Sequence, residues 1–207
     1  MSGIITAISP QKKRKDRVNV YIDEAYSFSL PLWAAGTLKK GDPISEARID
    51  ELKAIDENDK AFQRGIHFLA VRPRSRREIE RYLNQKGFSG PATEQAIKRL
   101  DAYGYINDAE FARIWIENRL RHRPRGRFGL SYELKQKGIS EAVIEAALSG
   151  YDEHQAAWAA IRPKLDRWQN LSELERRRKI YSFLKQRGFS GETIREINEA
   201  LASGEAC

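Results

Sequence analysis

One phrase occurs three times in this chain, and it limits the possible folds more than any other feature. It reads Tyr82-Leu-Asn-Gln-Lys-Gly-Phe88, then Glu133-Leu-Lys-Gln-Lys-Gly-Ile139, then Phe183-Leu-Lys-Gln-Arg-Gly-Phe189. The glycines at 87, 138 and 188 are 51 and 50 residues apart. A fixed period of this size marks tandem structural repeats. Locally the phrase is a helix end: leucine and a basic residue occupy the last turn, glycine takes the left-handed conformation, and the next apolar residue packs back.

Around each glycine the apolar spacing is helical. In the first repeat, Phe62, Ile66 and Leu69 line one helix, Ile79, Tyr82 and Leu83 a second, and Ala96, Ile97 and Leu100 a third. Ser75 with Glu78 and Ser172 with Glu175 have capping-box spacing, Asn107 with Glu110 opens the second repeat in the same manner, and Pro91 suits a first helical turn. Residues 3–30 have a different period. Val18, Val20 and Ile22 alternate with polar neighbours, as do Phe28 and Leu30, and Asp23-Glu24 fits a hairpin connection. The spacing predicts three antiparallel strands, a sheet small enough to need a helix to lean on; separately, a helix opens at Ser45 and ends near Glu57, and Asn58-Asp59 can start the next.

The expected fold is therefore mainly α: three tandem three-helix repeats forming an elongated curved molecule, with a small N-terminal antiparallel β element. The expected divisions are residues 1–57 for the β extension and linking helix, 58–106 for the first repeat, 107–150 for the second and 151–207 for the third.

The formal net charge of +8 is unevenly spread. Residues 1–58 are neutral, residues 59–149 carry 18 basic and 11 acidic side chains, and residues 150–207 carry ten and nine. A concentrated cationic surface favours a polyanion or an acidic protein face. The arginines are also duplicated in place. Leu69-Ala-Val-Arg-Pro-Arg-Ser75 aligns with Leu120-Arg-His-Arg-Pro-Arg-Gly126, each just before a helix start. Such loops can hold phosphate or carboxylate at a helix N-terminus, or they can simply end one helix and begin another. The binding candidates are Arg72, Arg74, Arg76, Arg77, Arg81, Arg119, Arg121, Arg123, Arg125 and Arg127. Arg176-Arg-Arg-Lys179 is a further basic cluster, and Arg162-Pro-Lys164 is in a different register.

Catalytic chemistry has no visible carrier. His67, His122 and His154 have no metal-ligand spacing, and no phosphate-binding glycine loop or nucleophile elbow occurs. No catalytic, cofactor-binding or metal-binding residue is predicted. His67, Trp115 and Trp158 read as packing residues, and Trp168 reads as a loop residue open to stacking. The single cysteine, Cys207, forms no internal disulfide and reads as an incidental terminal thiol. With no apolar span or secretory leader, the chain is expected to be cytoplasmic and monomeric, with no membrane partner.

The stretch from Leu69 to Gly138 resembles the RecX family, regulators of the RecA recombinase. The resemblance is carried by Arg72-Pro-Arg-Ser75, Glu78, Leu83, Lys86-Gly-Phe88, Tyr103-Gly-Tyr-Ile-Asn-Asp108, Phe111-Ala112, Arg119, Pro124-Arg-Gly126 and Leu134-Lys-Gln-Lys-Gly-Ile139. It implies binding along the groove of the RecA filament on single-stranded DNA. It also implies inhibition of ATP hydrolysis, strand exchange and co-protease activity, with consequences for repair, recombination and the SOS response. It supplies no catalytic residue. The alternative reading from the residues themselves is an independent DNA-binding protein, because a helix–glycine turn–helix recurs in each repeat.

Overall fold

The computed structural model describes residues 3–203; Cys207 lies outside them. The chain forms two compact units, residues 1–73 with 79–106, and residues 74–78 with 107–207.

The first unit begins with β1 (Gly3–Pro10), β2 (Arg17–Ile22) and β3 (Ala25–Pro31). Asp23 and Glu24 both have positive φ (48° and 67°), the twist that a two-residue hairpin requires. A two-residue strand, β4 (Pro43–Ile44), pairs with the start of β1 and completes an antiparallel sheet of order β3-β2-β1-β4. The alternation predicted for β2 and β3 places Val18, Val20, Phe28 and Leu30 in one core with Leu52. Leu52 comes from α1 (Glu46–Leu69), capped by Ser45, whose Oγ accepts from the Arg48 N–H. The sheet therefore leans on a helix, as expected.

The predicted break at residues 57–58 is absent, because α1 runs unbroken for 24 residues. Asn58 and Asp59 resemble a cap in sequence. In the fold, Asp59 is buried and turned toward cations: Arg17 at 3.9 Å and Arg99 at 3.4 Å. The C-terminal half of α1 packs with α2 (Arg76–Gln85) and α3 (Gly90–Ala102) around Phe62, Ile79, Leu83, Ile97 and Leu100. At Gly65 a Cβ would lie 2.7 Å from a Leu100 methyl, so glycine permits this approach of α1 to α3. His67, predicted to pack, is exposed instead.

The second unit contains α4 (Asp108–His122), α5 (Arg127–Gln136) and α6 (Glu141–Leu148), with a core of Phe111, Ile116, Leu130, Leu134 and Ile144. It also contains α7 (Glu153–Trp168), α8 (Glu173–Lys185) and α9 (Gly191–Ser203), packed around Trp158, Ile161, Ile180, Leu184, Phe189 and Ile197. Trp158 packs as expected. Trp168 is not in a loop: it ends α7, half-buried, with its ring edge-on to Phe183 at 5.6 Å. Arg162-Pro-Lys164 lies inside α7 rather than in a loop. All three repeat glycines have positive φ, between 75° and 85°, as helix-ending residues should.

Candidate functional site

The two Arg-Pro-Arg segments have one structural job in common. Each ends in a small residue that meets the carbonyl just before a repeat glycine. Ser75 is fully buried, and its hydroxyl donates to the Lys137 carbonyl at 2.7 Å. Gly126 donates its N–H to the Arg187 carbonyl at 3.1 Å. The carbonyls at a helix C-terminus lack intrahelical donors, and these contacts satisfy one in each case. The glycines are needed at close quarters. A Cβ on Gly126 would lie 2.3 Å from the Gly188 oxygen, and one on Gly138 would lie 2.6 Å from the Arg77 Cβ. At Gly87 a Cβ would meet nothing within 4 Å.

Carboxylates complete each joint. Asp108 accepts from the Arg76 N–H at 3.0 Å, and Glu153 accepts from the Arg127 N–H at 2.7 Å. Both bind the open N-terminus of a repeat's second helix, where negative charge is favoured. The Ser75–Glu78 capping box forms reciprocally, and Glu78 also pairs with the Lys137 ammonium at 2.7 Å. Ser172 and Glu175 form their box as well. At the head of α4 only half of the expected pattern is present: Asn107 caps the Glu110 N–H, while the Glu110 carboxylate pairs with Arg113.

The joints sort the candidate arginines. Arg119 and Arg125 both bind the half-buried Glu133 carboxylate at 2.7 Å, and the Trp115 indole donates to it at 2.8 Å. Arg119 and Lys137 also lie over the Trp115 ring, at 4.7 and 4.9 Å. The Arg127 guanidinium donates to the Tyr151 carbonyl at 2.9 Å. The Tyr151 hydroxyl donates to the Arg125 carbonyl at 2.7 Å, and burial, with Glu153 adding to it, pushes that phenol well above its usual range. Arg119, Arg125 and Arg127 are therefore engaged within the second unit, and Arg74 is half-buried there. Arg76, Arg77, Arg121 and Arg123 are exposed in the second unit, as are Arg72 and Arg81 in the first.

Sequence reasoning missed Glu133 and Arg187. Glu133 begins its repeat phrase where the other copies have Tyr82 and Phe183, so an acid in an aromatic position was the available signal. Arg187 stacks over Phe183 at 3.7 Å. Its proton affinity is lowered, first by burial and then by Arg125 and Arg123. Arg123, Arg125 and Arg187 thus crowd together, and Glu133 pairs with Arg125 among them. An arriving anion would relieve this repulsion. A groove of about 640 Å³ in the second unit is poorly suited to phosphate: Glu141, Glu145, Glu153, Glu192 and Glu196 line it beside a single arginine, Arg127.

Among the described residues, no helix is long and apolar enough to cross a membrane, and no group of three or more His, Cys, Asp or Glu is placed to hold a metal.

Four RecX family models match in series: the N-terminal domain at residues 3–45, and the first, second and third three-helix domains at 61–100, 107–148 and 151–197. The chain is 34% identical to Regulatory protein RecX of Bacillus pumilus over 208 residues, covering 97% of this chain and 78% of the relative. It is 34% identical to Regulatory protein RecX of Bacillus subtilis, covering 92% and 74%. A crystal structure of regulatory protein RecX superposes with a TM-score of 0.81 at 26% identity, over 95% of this chain and 99% of that one. RecX from Lactobacillus salivarius shares the fold, with a TM-score of 0.65 at 23% identity over 71% and 97%. With four family models matching in series between residues 3 and 197 and relatives of this identity along nearly its whole length, the chain belongs to the RecX family of regulatory proteins.

Proposed function

We propose that this protein is a negative regulator of RecA that binds the groove of the RecA filament on single-stranded DNA. Bound there, it slows ATP hydrolysis, strand exchange and co-protease activity without carrying out chemistry of its own. The observation that carries this reading is the exposure of Arg121 and Arg123 at the end of α4 in a RecX fold. Their guanidinium forks suit phosphates or carboxylates.

The helix-turn-helix alternative has less support. The helices that follow the repeat turns would have to enter a DNA groove. In α6 the exposed charges are Glu141 and Glu145, and in α9 Glu192, Glu196 and Glu199 are exposed beside one arginine, Arg195. Phosphate repels that array.

RecA's DNA-dependent ATPase tests the proposal. The wild-type protein should inhibit at or below stoichiometric amounts. Arg72→Ala with Arg123→Ala, both exposed, should weaken inhibition about tenfold while leaving the thermal midpoint unchanged. Wild-type protein that leaves the ATPase unaffected would sink the proposal; a double variant that inhibits normally would remove these arginines from it.

A further inference from the structure

Helix α5 carries two aromatic rings that its core does not use. Phe128 is 70% exposed, and Tyr132, one turn on, is 66% exposed. Side chains four apart on a helix share a face, so the two rings form one ridge. Exposed aromatic rings grouped in this way are characteristic of contact surfaces. Phe128 also lines the acidic groove described above, whose floor includes the buried Ile144 and Leu148. Of the groove's glutamates, Glu141 pairs with Lys135 at 2.6 Å, and Glu153 accepts from the Arg127 N–H and the Thr193 hydroxyl. Glu145, Glu192 and Glu196 are exposed, and no ion pair engages them among the described residues.

An apolar floor, an acidic rim and an aromatic ridge call for a protruding segment with several cations on long apolar stems. Lysine has this form: its methylenes cover apolar surface while its ammonium reaches a carboxylate or a ring face. The chain carries such a segment itself. The loop between β1 and β2 contains Lys12, Lys13, Arg14 and Lys15, all exposed. Arg14 is held by Asp16 at 2.9 Å, whereas the three lysines have no ion pair among the described residues. The base of the loop is braced. The Gln11 N–H donates to the Arg17 carbonyl at 3.0 Å, the Arg17 N–H donates to the Arg14 carbonyl at 3.1 Å, and the Gln11 side chain donates to Asn19 at 2.9 Å. A braced loop loses less conformational entropy on docking than a free tail does.

We propose that the acidic groove is the docking site for a second copy of this chain, whose β1–β2 loop enters it. Lys12, Lys13 and Lys15 pair with Glu145, Glu192 and Glu196, and the lysine stems pack on Phe128. Each copy offers one loop and one groove, so the contact is head-to-tail. The net charge of +8 disfavours contact between copies through their basic faces, which directs association to this complementary pair. The sequence alone pointed to a monomer; the pairing of these two surfaces points to reversible association instead.

Sedimentation equilibrium of the full chain alone, at low ionic strength, tests this. The mass average should rise with concentration and return to that of a monomer in about 1 M salt, where the Debye length is roughly 3 Å. Glu145→Lys with Glu196→Lys should weaken self-association at least about tenfold, and so should Lys12→Glu with Lys13→Glu and Lys15→Glu. An equimolar mixture of the two variants should associate again, because each reversed surface then meets one of opposite sign; that restoration also shows that both are folded. Phe128→Ser should weaken association about fivefold and leave the thermal midpoint unchanged. Wild-type protein that stays monomeric at every concentration would overturn the proposal and leave the groove to a basic segment of another protein. Undiminished association in either reversed variant, or a mixture that stays monomeric, would overturn it too. Neither RecA nor nucleic acid is present, so this result and the ATPase result can fail separately.

Discussion

At Gly126 a single hydrogen atom decides whether two helices can meet. The residue has an ordinary extended backbone, φ −73° and ψ 169°, so conformational freedom is not the reason for glycine. The reason is contact: a Cβ would sit 2.3 Å from both the Gly188 oxygen and the Phe189 Cα. Ser75 performs the corresponding task with its side chain, because its hydroxyl spans the gap to the Lys137 carbonyl. The aligned loops therefore tolerate serine in one copy and require glycine in the other. Alignment revealed that both positions are small, but only the packed backbone explains why they are not interchangeable. Gly126→Ala should destabilise the second unit by about 3 kcal/mol, the upper part of the overpacking range, since the clashing atoms are backbone and have little room to move. Gly150→Ala, where a Cβ would meet nothing within 4 Å, is the control. Urea unfolding of the two variants checks this; equal midpoints would mean that the joint yields easily.

Among the elements, α1 departed most from the sequence reading. Its apolar spacing was legible, as were the Ser45 cap and the strands that lean on it, because periodicity and caps depend on neighbours in the chain. The course of residues 56–60 depends on Arg17, some 40 residues earlier. Arg17 is buried, bonds Asp56, and donates to the Ser29 hydroxyl at 3.1 Å, while Lys60 pairs with Asp56 at 2.6 Å. Asp56 and Asp59 therefore face the sheet as charge partners, and the helix continues past them. The brief β4 was missed for a similar reason: two residues show no alternation, and their pairing with Gly3 and Ile4 is entirely long-range. Arg17→Met should cost about 3–5 kcal/mol, since it leaves two buried carboxylates without their shared guanidinium. Adding Asp56→Leu should recover most of that loss, because Asp59 keeps Arg99 at 3.4 Å. Denaturation of the single and double variants gives the coupling, and simple additivity would argue against a shared buried network.

Across the whole molecule, the positive excess of residues 59–149 divides into cations spent on structure and cations left at the surface. Arg119, Arg125 and Lys137 hold Glu133 or Glu78, so they raise the net charge without being fully available to a partner. Arg72, Arg121 and Arg123 are exposed, and under the proposed function they are the cations expected to set how binding responds to salt. Each phosphate neutralised on a single strand contributes about 0.7 to the slope of log affinity against log salt. If Arg72 and Arg123 meet phosphates, removing both should lower that slope by about 1.4 for binding to RecA-coated single-stranded DNA. Contacts with RecA carboxylates would weaken binding without this change, because no condensed counterions are released. The expected outcome is the reduced slope. Burial lowers the proton affinity of Arg187, and Arg125 and Arg123 nearby add to it, so a polyanion that brings several charges at once suits this surface better than an isolated carboxylate does. An unchanged slope with weakened binding would transfer these arginines from the nucleic acid to the protein side of the filament.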